Sequence, residues 1–149
     1  MIFLGIDPGA SGGLAVVIPE STAVTVWPMP STEADIYHHI AGLRDEDAFC
    51  VLEKVGGMPG QGGSASFNFG RNVGVIVGAL IACQVPFIEV APGRWKKHFS
   101  LIGKTGRSKT VIKNASKAYV QKRFPNVKFT HATAEAALLA LYARETYHQ

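Results

Sequence analysis

Two acids in this 149-residue chain each stand at the end of an apolar run. Asp7 closes Ile2-Phe3-Leu4-Gly5-Ile6, and Glu53 closes Ala48-Phe49-Cys50-Val51-Leu52. Such runs read as buried strands. A carboxylate at the end of one is costly to bury unpaired, so it calls for a cation, and a metal ion is the strongest candidate. The other reading of Asp7 is a turn-capping acid in Asp-Pro-Gly, because Asp and Gly are common in turns. A third acid, Glu135, follows His131 by four residues, a spacing that puts both on one helix face. Its neighbours are nearly all Ala and Leu, so that face can pack near a sheet. Taken singly, His131 reads as a surface or capping histidine and Glu135 as an exposed helix acid. Taken with Asp7 and Glu53, they favour a metal site. An oxygen-rich donor set suits Mg²⁺ or Mn²⁺. Two such ions roughly 4 Å apart can clamp a phosphodiester, activating water on one side and steadying the leaving oxygen on the other.

These side chains meet only if particular elements carry them. The turn Pro8–Gly13 joins the first strand to a second, Leu14–Ile18, and Thr22–Trp27 reads as a third strand of the same meander. Ser31 or Thr32 caps a helix to about Leu43. After the strand Ala48–Leu52 comes a Gly-rich loop, Lys54–Gly63, without the Gly-Lys-Ser/Thr ending of a phosphate-binding Walker loop. Ser64 or Ser66 opens a helix to about Gln84. Pro86–Val90 is a strand and Arg94–Phe99 a short helix. Ser108 caps a basic helix to about Phe124, stopped by Pro125, and Thr130 caps a last helix to about Tyr142. The order β-β-β-α-β-α-β-α-α predicts a mixed sheet flanked by helices, one α/β domain. If the strands ending at Asp7 and Glu53 are parallel neighbours, both carboxylates emerge at the same sheet end, where open α/β sheets place their sites.

Charge points to a partner. Eleven of the 15 Lys and Arg lie between Arg94 and Lys128, and no Asp or Glu lies between Glu89 and Glu135. A field of that kind fits a polyanion, most often nucleic acid; the alternative is a solvated basic helix face. No run of letters reaches the ~20 apolar residues of a bilayer span, and Met1 leads straight into a strand, so neither a membrane nor a signal peptide is expected. Cys50 and Cys83 sit in apolar surroundings and read as core residues of a reducing compartment.

The pieces Phe3-Leu4-Gly5-Ile6-Asp7-Pro8-Gly9, Leu52-Glu53, Met58-Pro59-Gly60-Gln61-Gly62 with Phe67-Asn68-Phe69-Gly70, Pro92 with Trp95-Lys96-Lys97, Ser108-Lys109, Phe124-Pro125 and Ala134-Glu135-Ala136 form an ordered set over nearly the whole chain. In that set the chain resembles the RuvC-type Holliday junction resolvases, closest to their compact phage-encoded branch. The resemblance implies an RNase H-like fold, a mixed five-stranded sheet flanked by helices, as one nuclease domain over residues 1–149. It implies a homodimer that binds branched DNA, a four-way junction, in the cytoplasm or in the host-cell or organelle compartment that contains the DNA. The activity implied is a crossover junction endodeoxyribonuclease with symmetric paired cuts and Mg²⁺ or Mn²⁺, two ions per subunit. Asp7, Glu53, His131 and Glu135 match the family's catalytic metal ligands, although many relatives have Asp where His131 stands. Lys97 (or Lys96) and Lys109 fall near lysines that support catalysis or hold the scissile phosphate, and Lys109 is expected in the catalytic set. Met58 and Phe67 fall where the family opens the junction, and an apolar wedge is a known way to unstack bases. Arg71, Lys96, Lys97, Lys104, Arg107, Lys109 and Lys113 are the expected DNA contacts, and the helix with Gly70, Gly74 and Gly78 is an expected part of the dimer interface. Two other readings remain at this point. One is a branched-DNA binder of the same fold that does not cut. The other is an actin-like nucleotide-binding domain, which would need two lobes where this chain supplies one.

Overall fold

A computed structural model describes residues 1–57, 59–102 and 106–147. Two of the expected DNA contacts, Met58 and Lys104, lie outside the described residues. Strands β1 (Ile2–Asp7), β2 (Gly13–Val17) and β3 (Val24–Pro28) form an antiparallel meander. Strands β4 (Ala48–Glu53) and β5 (Phe87–Val90) extend it beyond β1 in parallel, giving the order β3-β2-β1-β4-β5. The expected mixed five-stranded sheet is therefore present. Around it lie α1 (Glu33–Ala41), α2 (Gly63–Ala82), α3 (Pro92–His98), α4 (Lys109–Arg123) and α5 (His131–Tyr147).

The two-residue period of the strands divides the core. Leu4 and Ile6 of β1, with Cys50 and Leu52 of β4, pack against Ile36 and Ile40 of α1 and Ile76 and Leu80 of α2. Phe3 and Val51 face the opposite way, into the cluster built on α5 with Trp95. Asp7 and Glu53 continue this second series, two residues beyond Gly5 and Val51. Alternation thus turns both carboxylates toward the α5 layer, and a one-residue slip would turn them away. Cys50 and Cys83 are buried free thiols.

Helix α5 packs across β1, β2, β4 and β3 and against α4. Its approach to the sheet is close because its inner face is largely alanine. A Cβ placed on Gly5 would collide with the backbone of Ala136 and Ala140, so glycine in β1 is what lets the helix backbone settle on the strand. Thr130 caps the helix as expected: the Thr133 N–H donates to Thr130 Oγ1 at 3.2 Å. The helix runs on to Tyr147, five residues beyond the expected end, because no Gly or Pro follows Tyr142 to stop it. Tyr147 closes its far end with rings against Phe49 and Tyr142.

Helix α2 departs from the sequence reading on one point. At 20 residues it is long and apolar enough, by length and composition alone, to cross a bilayer, with a mean hydropathy of 1.3 over an 18-residue stretch. Ser, Asn and Arg interrupt the letters, but Ile, Val, Leu and Ala keep the average high. Ile76, Ala79 and Leu80 are buried in the core, while 17% of the apolar stretch is buried in all. Among the described residues α2 thus exposes much apolar surface, Ile81 at 64% and Phe67 at 68%. Gly70, Gly74 and Gly78 have open space where a side chain would stand.

Candidate metal centre and nucleic-acid surface

Parallel pairing aligns Ile6 with Leu52, so Asp7 and Glu53 follow as neighbours at the carboxyl ends of β1 and β4. Glu135, in the second turn of α5, lies over the same end. One carboxylate oxygen from each of Asp7, Glu53 and Glu135 lies within 4.8 Å of the other two. Glu53 and Glu135 are buried, at 9% and 8% exposure. The turn after Asp7 is fixed by Gly9, whose φ of +101° excludes most side chains. The Gly9 N–H donates to Asn72 Oδ1 of α2 at 2.7 Å, and the Phe69 ring lies against the glycine.

Crowding sets the electrostatics. Burial first, then the charges of Glu53 and Glu135, push the Asp7 carboxyl up to about 8, against a smaller opposing effect of Lys96. Glu53 is raised too, chiefly by burial, and held back by a hydrogen bond from Trp95. That indole Nε1–H donates to Glu53 Oε2 at 2.7 Å in the buried interior. Among the described residues none of the three acids makes an ion pair. This donor set fits a hard divalent cation, which would relieve the repulsion among the three carboxylates.

His131 is not in this group. It is exposed at the first residue of α5, with Nε2 3.0 Å from Asn114 Oδ1 of α4. Helical spacing brought it to the right face, but at the helix end its ring leans to the neighbouring helix. Lys109, at the start of α4, is exposed and does not line the groove beside the carboxylates. Lys113, one turn on, does. That groove, about 1030 Å³, is bounded also by Asp7, Phe69, Arg71, Asn72 and Glu135. Arg71 is paired across its mouth with Glu33 of α1. Of the adjacent lysines on α3, Lys96 is half-buried, with Nζ 5.1 Å from the Trp95 ring centroid, and its charge bears on Asp7 and Glu53. Lys97 is exposed. Arg107 is exposed and donates from Nη1 to the Leu101 carbonyl at 3.5 Å. Sequence reasoning named neither Trp95 nor Asn72 as part of the site. The one signal for Trp95 was chemical: a tryptophan buried among apolar residues needs an acceptor for its N–H.

No family model and no curated protein matches the sequence. Solved structures do. Thermus thermophilus RuvC in complex with a Holliday junction substrate superposes with a TM-score of 0.66 at 21% identity, over 97% of this chain and 96% of that one. A second Thermus thermophilus RuvC structure gives a TM-score of 0.67 at 19% identity, with the same coverage of both. End to end, then, this chain has the RNase H-like fold of RuvC.

Proposed function

We propose that this protein is a metal-dependent endonuclease, a single nuclease domain per chain acting as a homodimer, that resolves four-way DNA junctions by symmetric paired cleavage. The observation that carries the reading is the gathering of Asp7, Glu53 and Glu135 beside a basic surface in a RuvC-like fold. These three acids hold Mg²⁺ or Mn²⁺, two ions per subunit. Bound there, the ions supply Lewis-acid activation of water and neutralise charge on the scissile phosphate. Lys96 and Lys113 hold that phosphate and stabilise the negative charge that develops on it. Lys97, Arg107 and Lys109, with Lys104, grip the DNA backbone on either side, and Phe67, with Met58, enters the stack at the opened junction. Arg71 exchanges Glu33 for a phosphate; the pair is exposed to solvent, so the exchange costs little. The exposed apolar face of α2 joins two copies, and two sites then serve two strands. His131 flanks the site through Asn114.

A synthetic four-way junction incubated with Mg²⁺ or Mn²⁺ should yield paired nicks at symmetric positions. Losing a group that merely supports a ligand costs about 10–100-fold, so Asp7→Asn should lower cleavage by more than about 100-fold. Junction affinity, set by the basic surface, should stay within about threefold. Full cleavage by Asp7→Asn counts against the site. A second reading, a branched-DNA binder that does not cut, draws on the engagement of His131 with Asn114, which leaves three acids in the cluster. Tight junction binding without nicks in either metal would favour it.

A further inference from the structure

We infer that Trp95 is a positioning residue for the carboxylate site: its indole N–H fixes Glu53 while its ring face seats the Lys96 ammonium. The inference rests on the metal reading given above. Trp95 is wholly buried, and its only polar atom, Nε1, donates to Glu53 Oε2 at 2.7 Å. Tryptophan cannot accept a hydrogen bond, so this contact has one polarity. It occupies one Glu53 oxygen and leaves the other for a cation. A carboxylate held this way has already lost the rotational freedom that metal binding would otherwise remove. Lys96 Nζ stands 5.1 Å from the centre of the same ring, within cation–π range. One side chain of α3 therefore sets the direction of a ligand and the place of the neighbouring positive charge.

The helix that carries this ring is itself anchored on both sides. Phe99 is buried, with its ring against Tyr119 of α4. His98 Nε2 lies 2.8 Å from Glu145 Oε2 of α5, and the His98 ring meets Tyr142 edge-on. Helix α5 also bears Glu135, so α3 is tied to the helix that carries the third acid.

Packing alone would explain burial of Trp95, and the test separates packing from the hydrogen bond. In a Trp27→Phe background Trp95 is the remaining tryptophan. It is replaced there by β-(3-benzothienyl)alanine, which keeps the bicyclic shape and lacks the N–H. Mn²⁺ affinity is read from free Mn²⁺ by electron paramagnetic resonance, and folding by thermal melting. The expected result is Mn²⁺ binding weakened by about 10-fold or more, with a melting temperature close to that of the parent. Unchanged Mn²⁺ affinity overturns the inference. If the replacement does not fold, the parent decides alone through its single indole ¹H–¹⁵N resonance. That resonance should move on addition of Mg²⁺, and the movement should vanish in Asp7→Asn; a resonance indifferent to Mg²⁺ overturns the inference. A parent that binds no Mn²⁺ at all overturns the metal reading first, and this inference with it.

Discussion

At the scale of single residues, the crowding of three carboxylates raises their mutual repulsion, and Asp7 records it. Its ordinary value is 3.8 and its value in the fold is about 8. Between those limits the folded chain keeps a proton that the unfolded chain has released. The stability this group contributes is complete below pH 3.8, declines as pH rises, and is gone above about pH 8. Asparagine is neutral throughout. Asp7→Asn should therefore melt higher than the wild type in chelator at pH 9, by roughly 5 °C or more, with little difference near pH 4. Thermal melts monitored by circular dichroism at the two pH values check this, and added Mg²⁺ should narrow the gap at pH 9. Equal gaps at both would contradict the assigned cause. The positions of Asp7 and Glu53 were readable because each ends an unbroken apolar run, and that pattern fixes where a strand stops. The aim of a side chain was not readable. His131 shares a helix face with Glu135, yet Asn114, 17 residues earlier, takes its ring. Lys96 and Lys97 are alike as letters, and only the seating of α3 decides which one faces the acids.

At the scale of elements, the close seating of α5 on β1 decides whether Glu135 reaches Asp7. Gly5 permits it, since any Cβ there would strike the backbone of Ala136 and Ala140. Backbone cannot swing aside as a side chain end can, so Gly5→Ala should destabilise by about 3 kcal/mol or more, measured by urea unfolding. Any folded fraction should bind Mn²⁺ more weakly, because the helix must lift. A loss under 1 kcal/mol would show that the helix has slack. Element ends were legible where local chemistry marks them. Thr32, Ser108 and Thr130 each accept from a backbone N–H within the first turn, as their residue types foretold. Helix α3 starts at Pro92, two residues before the expected Arg94, because proline suits the first turn of a helix. The far end of α5 carries no stop signal, and its extent depends on Tyr147 finding Phe49 across the sheet.

At the scale of the whole molecule, α2 turns one face to the core and leaves another bare. An exposed apolar patch of this kind on a folded chain usually meets a partner, and the proposed partner is a second copy. Ile81→Asp places a charge on that face, at a residue already 64% exposed. It should shift sedimentation from dimer to monomer and leave the melting temperature of the monomer within a few degrees. A sedimentation profile unchanged by the substitution would remove α2 from the interface. The separation of the three acids along the chain has a further consequence. Residues 7 and 53 end two strands, and residue 135 stands on a helix 82 positions after the second of them. The three acids therefore come together only once α5 has seated on the sheet. A fragment lacking α5 would keep two of the three carboxylates and lose the helix that brings the third to them.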